Sequence, residues 1–374
     1  MLLSMPSVWS SLQIIEKDLG NLDERHSFAQ FVQRIRDRRK GSIENVRVLL
    51  DDTKVPGVGL RTLIDDDQVL NTLVITFKDT FNGPFFVPPP TRKVIATSNS
   101  NDKKNGVIIQ KDYFQSLTLN NVLPWSIYHD LNIDNGLQHL YLNLNKSTKD
   151  NMVLFTIAQC KSLQTLSITN LRWNIQLDLY LPNLKYLHIN NSSPVLSILM
   201  AESLQTLIFE NYMIEDDGPS SFPPKVESLS FRNCKFTQNN TYFNLPKLIR
   251  HIEVIDSDFS LHFEALVKCI LDDDYGDKEV GMNLNSIKIK DNNLLGLLNK
   301  PTFERFVQVF QKVKDLNGCS KLNKLVLNCP RNNFDTYNDF LDYRNEIFNR
   351  LSSNVENIDI NCDETYSELI EIPK

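Results

Sequence analysis

Apolar positions recur along the chain as apolar-x-x-apolar-x-apolar. The plainest copies are Leu137-x-x-Leu140-x-Leu142, Leu163-x-x-Leu166-x-Ile168, Leu184-x-x-Leu187-x-Ile189 and Leu204-x-x-Leu207-x-Phe209. Further copies are Val226-x-x-Leu229-x-Phe231, Leu284-x-x-Ile287-x-Ile289, Leu322-x-x-Leu325-x-Leu327 and Val355-x-x-Ile358-x-Ile360. Weaker ones begin at Ile43, Leu70, Phe114 and Ile249. Between 114 and 249 the starts lie 20 to 26 residues apart. The end of each copy alternates with period 2, which predicts a short strand whose flanking side chains point to the opposite face. Asn then recurs where the chain leaves the strand, at Asn145, Asn191, Asn211 and Asn292, with Cys234 or Leu171 in its place elsewhere. Some spacers carry the i, i+3, i+4, i+7 spacing of an amphipathic helix. These are Phe28–Ile35, Phe263–Ile270, Phe303–Val313 and Phe340–Leu351. The shorter spacer Ser192–Glu202 has room for only a turn of 3₁₀ helix.

A strand-centred period of about 20–29 residues resembles the leucine-rich repeats. The fold class this implies is α/β. It is a leucine-rich-repeat solenoid with a curved parallel β-sheet on the concave face, helices and loops on the convex face, and about 12 irregular repeats. A single unit cannot bury its own apolar face, so neighbours stack and residues 16–374 form one array. Insertions are expected near 88–111, 215–225 and 272–281: a Pro-Pro-Pro run with a polar segment, an Asp/Pro/Ser stretch and an acidic stretch. Such loops serve either as plain surface or as binding loops. In this repeat class a buried Asn at the strand exit bonds the turning backbone and continues from copy to copy as a ladder.

The opening Met5-Pro6-Ser7-Val8-Trp9-Ser10-Ser11-Leu12-Gln13-Ile14 resembles the end of an F-box, a helical module that docks onto the small adaptor of a cullin-RING ubiquitin ligase. Residues 1–15 therefore read as the C-terminal remnant of an F-box-like helical segment, with Pro6, Trp9 and Leu12 on the adaptor side. The whole resembles the F-box/leucine-rich-repeat proteins of fungi. The front of the module, with its adaptor-binding positions, is not in the sequence, so the resemblance implies a start upstream of Met1 or a chain that cannot dock. The other reading of the segment is an amphipathic cap in which Trp9 and Leu12 seal the first repeat.

Composition narrows the function. The 374 residues carry Lys+Arg 40 against Asp+Glu 46, a formal net charge of −6. That balance argues against a general nucleic-acid binder. Gly numbers only 12, too few for the usual nucleotide-binding loops. Gly57-Val58-Gly59 lacks the third glycine of a dinucleotide loop, and no Walker, Gly-x-Ser-x-Gly or His-Glu-x-x-His motif occurs. The cysteines, 6 in all, form no C-x-x-C pair. His139, His188 and His251 lie repeats apart, roughly 10 and 14 Å at the spacing of adjacent strands, too far to share a metal. Asp65–Asp67 and Asp272–Asp274 have no metal-ligand spacing around them. No cofactor is expected, and the chain is expected to be a non-catalytic binding subunit. No apolar run approaches a membrane span, and Met1–Ile15 is a poor signal peptide, so the expected compartment is the nucleus or cytoplasm. Arg34, Arg36, Arg38, Arg39 and Lys40 form a basic cluster that fits a helix C-terminus, with nuclear import or an acidic partner as the alternative.

The outward strand positions are the expected partner-binding surface. On the earlier strands they are hydroxyl and aromatic: Thr72, Thr76, Ser116, Thr118, His139, Tyr141, Thr165, Ser167, Tyr186 and His188. On the later ones they are charged: Glu210, Arg232, Glu253, Lys288, Lys290, Lys324 and Asp359. Tyr141, Tyr186, His139 and His188 suit a peptide anchor, since Tyr joins apolar area to a polar tip. Arg232, Lys288, Lys290 and Lys324 suit an acidic or phosphorylated segment, or simply a solvated face. The function expected is the substrate-recognition subunit of an SCF-type (cullin-RING) E3 ubiquitin ligase. Its partners are then a protein substrate and, given an upstream F-box, the adaptor and cullin. A repeat scaffold with no ubiquitin-ligase role is the alternative.

Overall fold

The computed structural model describes residues 11–15, 44–50, 69–77, 84–87, 91–98, 106–108, 115–122, 136–149, 157–158, 160–172, 180–192, 201–214, 222–236, 245–257, 271, 283–290, 300–318, 320–329 and 337–362. The chain divides into two compact units, Met1–Leu184 with Asn191–Ile198, and Lys185–Asn190 with Leu199–Lys374. The chain is an α/β repeat solenoid: the ladder of each unit is parallel-stranded, and the two long α-helices described belong to the second unit.

Unit 1 contains β1 (Ser11–Ile15), β2 (Asn45–Leu50), β3 (Leu70–Phe77), β4 (Pro84–Phe86), β5 (Thr91–Ser98), β6 (Gly106–Ile108), β7 (Ser116–Asn120), β8 (His139–Lys149) and β9 (Thr165–Arg172). Its main ladder runs β1-β2-β3-β5-β7-β8-β9, every pairing parallel. β4 and β6 form a separate parallel pair. Unit 2 contains β10 (Tyr186–Asn190), β11 (Thr206–Glu210), β12 (Met213–Ile214), β13 (Ser228–Arg232), β14 (Lys235–Phe236), β15 (His251–Ile255) and β16 (Ser286–Lys290). It continues with α1 (Lys300–Leu316), β17 (Leu322–Cys329), α2 (Tyr337–Leu351) and β18 (Val355–Cys362). Its ladder runs β10-β11-β13-β15-β16-β17-β18, again all parallel.

The repeat pattern explains the core. The three apolar positions of a copy, such as Leu163, Leu166 and Ile168, are fully buried. The leading one closes a tight turn. Its N–H bonds the carbonyl three residues back, as in Leu163 to Cys160 (3.1 Å), Leu204 to Ala201 (3.1 Å) and Val226 to Pro223 (3.2 Å). In unit 2 the aromatic steps are larger: Phe209 stacks on Phe231 with centroids 5.6 Å apart, and Phe222 meets Phe231 edge-on. α1 follows its predicted stripe, burying Phe303, Phe306, Phe310 and Val313, with Val309 buried where Val307 was expected. Phe340, Ile347 and Leu351 are the buried side of α2.

Two ladder strands lie in segments that the sequence reading assigned otherwise. Residues 88–111, expected as an insertion, contain β5, because Thr91 takes the leading position and is fully buried together with Val94 and Ala96. Residues 1–15, expected to be helical, contain β1, whose Leu12-x-Ile14 alternation suits a strand and which pairs in register with β2. The expected helices at 28–35 and 263–270, the basic cluster Arg34–Lys40, Asp65–Asp67, Pro6, Trp9, most of 215–225 and all of 272–281 lie outside the described residues.

The strand-exit Asn residues differ from expectation in part. Asn121, Asn170, Asn191, Asn211 and Asn233 have φ between 43° and 62°. Asn tolerates this left-handed conformation better than other residues with a side chain. Within unit 2, Asn211 and Asn233 are exposed, and Asn233 donates to Asn211 Oδ1 at 2.5 Å. Asn121 and Asn170 donate to the Ser98 and Leu144 carbonyls of the neighbouring copy, as expected, and a buried residue one position later also bonds the neighbouring backbone. Ser257 Oγ accepts from the Cys234 N–H at 2.9 Å, and Ser192 Oγ accepts from the Leu171 N–H at 3.0 Å. Cys234 itself donates to the Phe209 carbonyl, and burial pushes its thiol up to about 11, which keeps it protonated and unreactive.

Candidate functional site

Because neighbouring strands run parallel and in register, outward side chains form rows across each ladder. In unit 1 the central row is Arg47, Val74, Ile95, Thr118, Tyr141 and Ser167. One flank holds Asn45, Thr72, Lys93, Ser116, His139 and Thr165. Lys93, exposed on β5, adds a cation among the hydroxyl and aromatic positions expected here, and Arg47 is exposed beside them on β2. Lys93 was missed because β5 was missed; the buried Thr91-Val94-Ala96 spacing is the signal that marks it. Tyr141 is 38% exposed, among the most exposed large hydrophobics. His139 Nδ1 and Thr165 Oγ1 are 3.0 Å apart. Leu12 lies opposite Val46 in the β1–β2 pairing.

In unit 2 the central row is His188, Ile208, Ser230, Glu253, Lys288, Val326 and Asp359. One flank holds Tyr186, Thr206, Ser228, His251, Ser286, Lys324 and Asn357, and the other holds Asn190, Glu210, Arg232, Ile255, Lys290, Asn328 and Asn361. The sequence candidates of this unit are thus brought onto one strand face. Two central residues face outward yet are covered: Ile208 is 8% and Ser230 4% exposed. Charged side chains are joined above this row. His188 Nε2 meets Glu210 Oε2 at 2.9 Å. Arg232 donates through Nε and Nη2 to Glu253 Oε2 at 3.0 and 2.7 Å, and Ser230 Oγ donates to the same oxygen at 2.6 Å. Lys288 Nζ donates to the other oxygen, Oε1, at 2.7 Å.

Glu253 is the node of this arrangement. Burial raises the cost of its charge, but the hydrogen bonds from Lys288, Ser230 and Arg232 and the Arg232 charge outweigh it. Its carboxyl is lowered from 4.5 to about 2. Two bonds come from one guanidinium, the two-point grip that suits Arg to carboxylates. Lys324 does not join the node; it pairs with Asp359 at 3.0 Å. The four cations grouped in the sequence are therefore not one cluster. Arg232 and Lys288 share Glu253, Lys290 lies in the Arg232 row, and Lys324 has its own carboxylate.

His139 and Tyr141 belong to unit 1, and Tyr186 and His188 to unit 2. Each pair is a feature of its own ladder. Among the described residues no three His, Cys, Asp or Glu stand together as a metal site, and no helix is long and apolar enough to cross a membrane. No family model matches the chain, and no curated protein matches it.

Proposed function

We propose that this protein captures a protein partner on its outward strand faces and acts as the substrate-recognition subunit of an SCF-type ubiquitin ligase. The observation that carries the capture half is the hydrogen-bonded charged stripe of unit 2. Arg232, Glu253 and Lys288 are fixed on consecutive strands and still reach water. Side chains fixed before contact lose less conformational entropy on binding than free ones. Repeat ladders use such surfaces for extended protein contacts. The ligase half rests on the resemblance of Met5–Ile14 to the end of an F-box. Its contribution to the reaction is effective concentration, holding the target beside the ubiquitin-charged enzyme.

Coexpression with the small adaptor and cullin tests the ligase half. The chain is expected to co-purify with both, and loss of the chain is expected to lengthen the partner's lifetime at least about threefold. A partner that is captured while the adaptor is not, with an unchanged lifetime, establishes the scaffold reading instead.

A further inference from the structure

We infer that the strand face of unit 1 takes an extended partner segment of the form acidic-x-apolar-x-apolar. Arg47 holds the acidic residue, and the last apolar side chain lies over Thr118, between Ile95 and Tyr141. The inference names the partner chemistry for the capture reading above and rests on it. Charge sets the first requirement. The central row and the Asn45 flank across β2, β3, β5, β7, β8 and β9 hold the cations Arg47 and Lys93 and no carboxylate. The other flank, Leu49, Thr76, Thr97, Asn120, Asn143 and Thr169, is uncharged. This holds although Asp+Glu outnumber Lys+Arg in the whole chain, 46 to 40. Both cations are exposed, and among the described residues neither has a side-chain partner. On the unit 2 face, by contrast, Arg232 and Lys288 share Glu253, and Lys324 has Asp359. Cations left uncompensated on a face favour an anionic group on the partner. Two of them are too few to follow a nucleic-acid backbone, so the partner group is a peptide's carboxylate.

The central row sets the other requirements. It runs Arg47, Val74, Ile95, Thr118, Tyr141 and Ser167, so two half-buried aliphatic side chains stand next to Arg47. Thr118 is shorter than Ile95 and Tyr141 on either side of it, and Tyr141 is 38% exposed. An apolar side chain resting on Thr118 therefore meets both. Strands lie about 4.8 Å apart, which puts the middle of the Val74–Ile95 pair about 7 Å from Arg47 and Thr118 about 14 Å from it. An extended segment crossing the strands advances about 3.4 Å per residue and turns alternate side chains the same way. Residues i+2 and i+4 then stand about 7 and 14 Å from residue i, on its side of the segment. An acidic residue at i with apolar residues at i+2 and i+4 matches Arg47, the aliphatic pair and the Thr118 position in turn. Lys93, two residues before Ile95 on β5, borders the same path.

Fluorescence anisotropy with the full chain and labelled nonapeptides tests the inference. The first peptide carries Glu, Leu and Phe at its third, fifth and seventh positions and Thr elsewhere. A second has Gln in place of Glu. A third keeps the composition but moves Leu and Phe one place towards Glu, which turns them to the opposite side. The first is expected to bind about three- to fivefold more tightly than the Gln peptide, the worth of an exposed ion pair. It is expected to bind at least about tenfold more tightly than the displaced peptide, which loses its apolar contacts. Tyr141→Ala removes one wall of the Thr118 position and is expected to weaken the first peptide about fivefold or more. Arg47→Glu weakens the Glu peptide and favours one with Lys in its place, an exchange that misfolding cannot produce. Equal binding of the first and displaced peptides overturns the inference, as does the lack of that exchange. A labelled nine-nucleotide oligouridylate that binds more tightly than the first peptide also overturns it. If the peptides fail while a partner crosslinks to either strand face, this inference is lost and the capture reading stands. If crosslinking fails too, both fall.

Discussion

Phe231→Ala is expected to destabilise unit 2 by about 3–5 kcal/mol. Phe231 is 1% exposed, stacks on Phe209 at 12° between planes and receives the edge of Phe222. Truncation removes the transfer energy of the ring and leaves a cavity. The cavity cannot easily close, because strands β11, β13 and β15 are pinned in register on both sides of it. Phe231→Leu keeps most of the volume and is expected to cost less than about 2 kcal/mol. Phe348→Ala is the control: that side chain is 51% exposed on α2, and its loss should stay within about 0.5 kcal/mol. Urea midpoints read all three. A Phe231→Ala shift no larger than that of Phe348→Ala would mean that the aromatic step does not hold the unit.

Glu253→Gln is expected to cost about 1–2 kcal/mol at neutral pH. The loss is smaller than for a deeply buried ion, because Arg232 and Lys288 are 40% and 43% exposed and water screens them once freed. The variant also carries a pH signature. The carboxyl of Glu253 is lower in the folded chain, about 2, than its ordinary 4.5. A group lowered on folding adds stability above its unfolded value and loses it as pH falls through the folded one. The difference between the natural chain and Glu253→Gln should therefore be full above about pH 4.5 and fade towards pH 2. Urea unfolding at neutral and acid pH measures it. A difference that is constant with pH would show that the lost stability came from packing and not from the charge.

The parallel ladder was legible where Leu, Ile, Val or Phe filled all three inward positions of a copy. It was illegible at β5, where buried Thr91 replaces the leading apolar residue after a proline run, and at β1, where the resemblance pointed to a helix. The strand-exit Asn positions were visible, and Asn121 and Asn170 do bond the neighbouring backbone, but in other copies the buried residue that does so comes one position later. Backbone geometry decides that point: the left-handed turn takes Asn211 or Asn233, and the chain then sends Tyr212 or Cys234 inward. Face and row for Arg232, Glu253 and Lys288 followed from period 2. Their mutual pairing did not, because the residues stand 21 and 35 apart in sequence, which gives no local signal; Lys288 lies directly opposite Glu253, and Arg232 reaches it diagonally. The same holds for Lys324, whose partner Asp359 comes from the last strand.

Site-specific photocrosslinking tests the central claim, capture of a partner by the strand face, most directly. A photoreactive phenylalanine analogue replaces His251, exposed on β15 beside the charged stripe, or Asn345, exposed on α2, in the full chain in its native cells. A single partner band crosslinked from position 251 and absent from 345, and lost on charge reversal at Lys288, is the predicted result. Crosslinks from position 345 alone, or none from either, would contradict the claim that the strand face is where this protein binds.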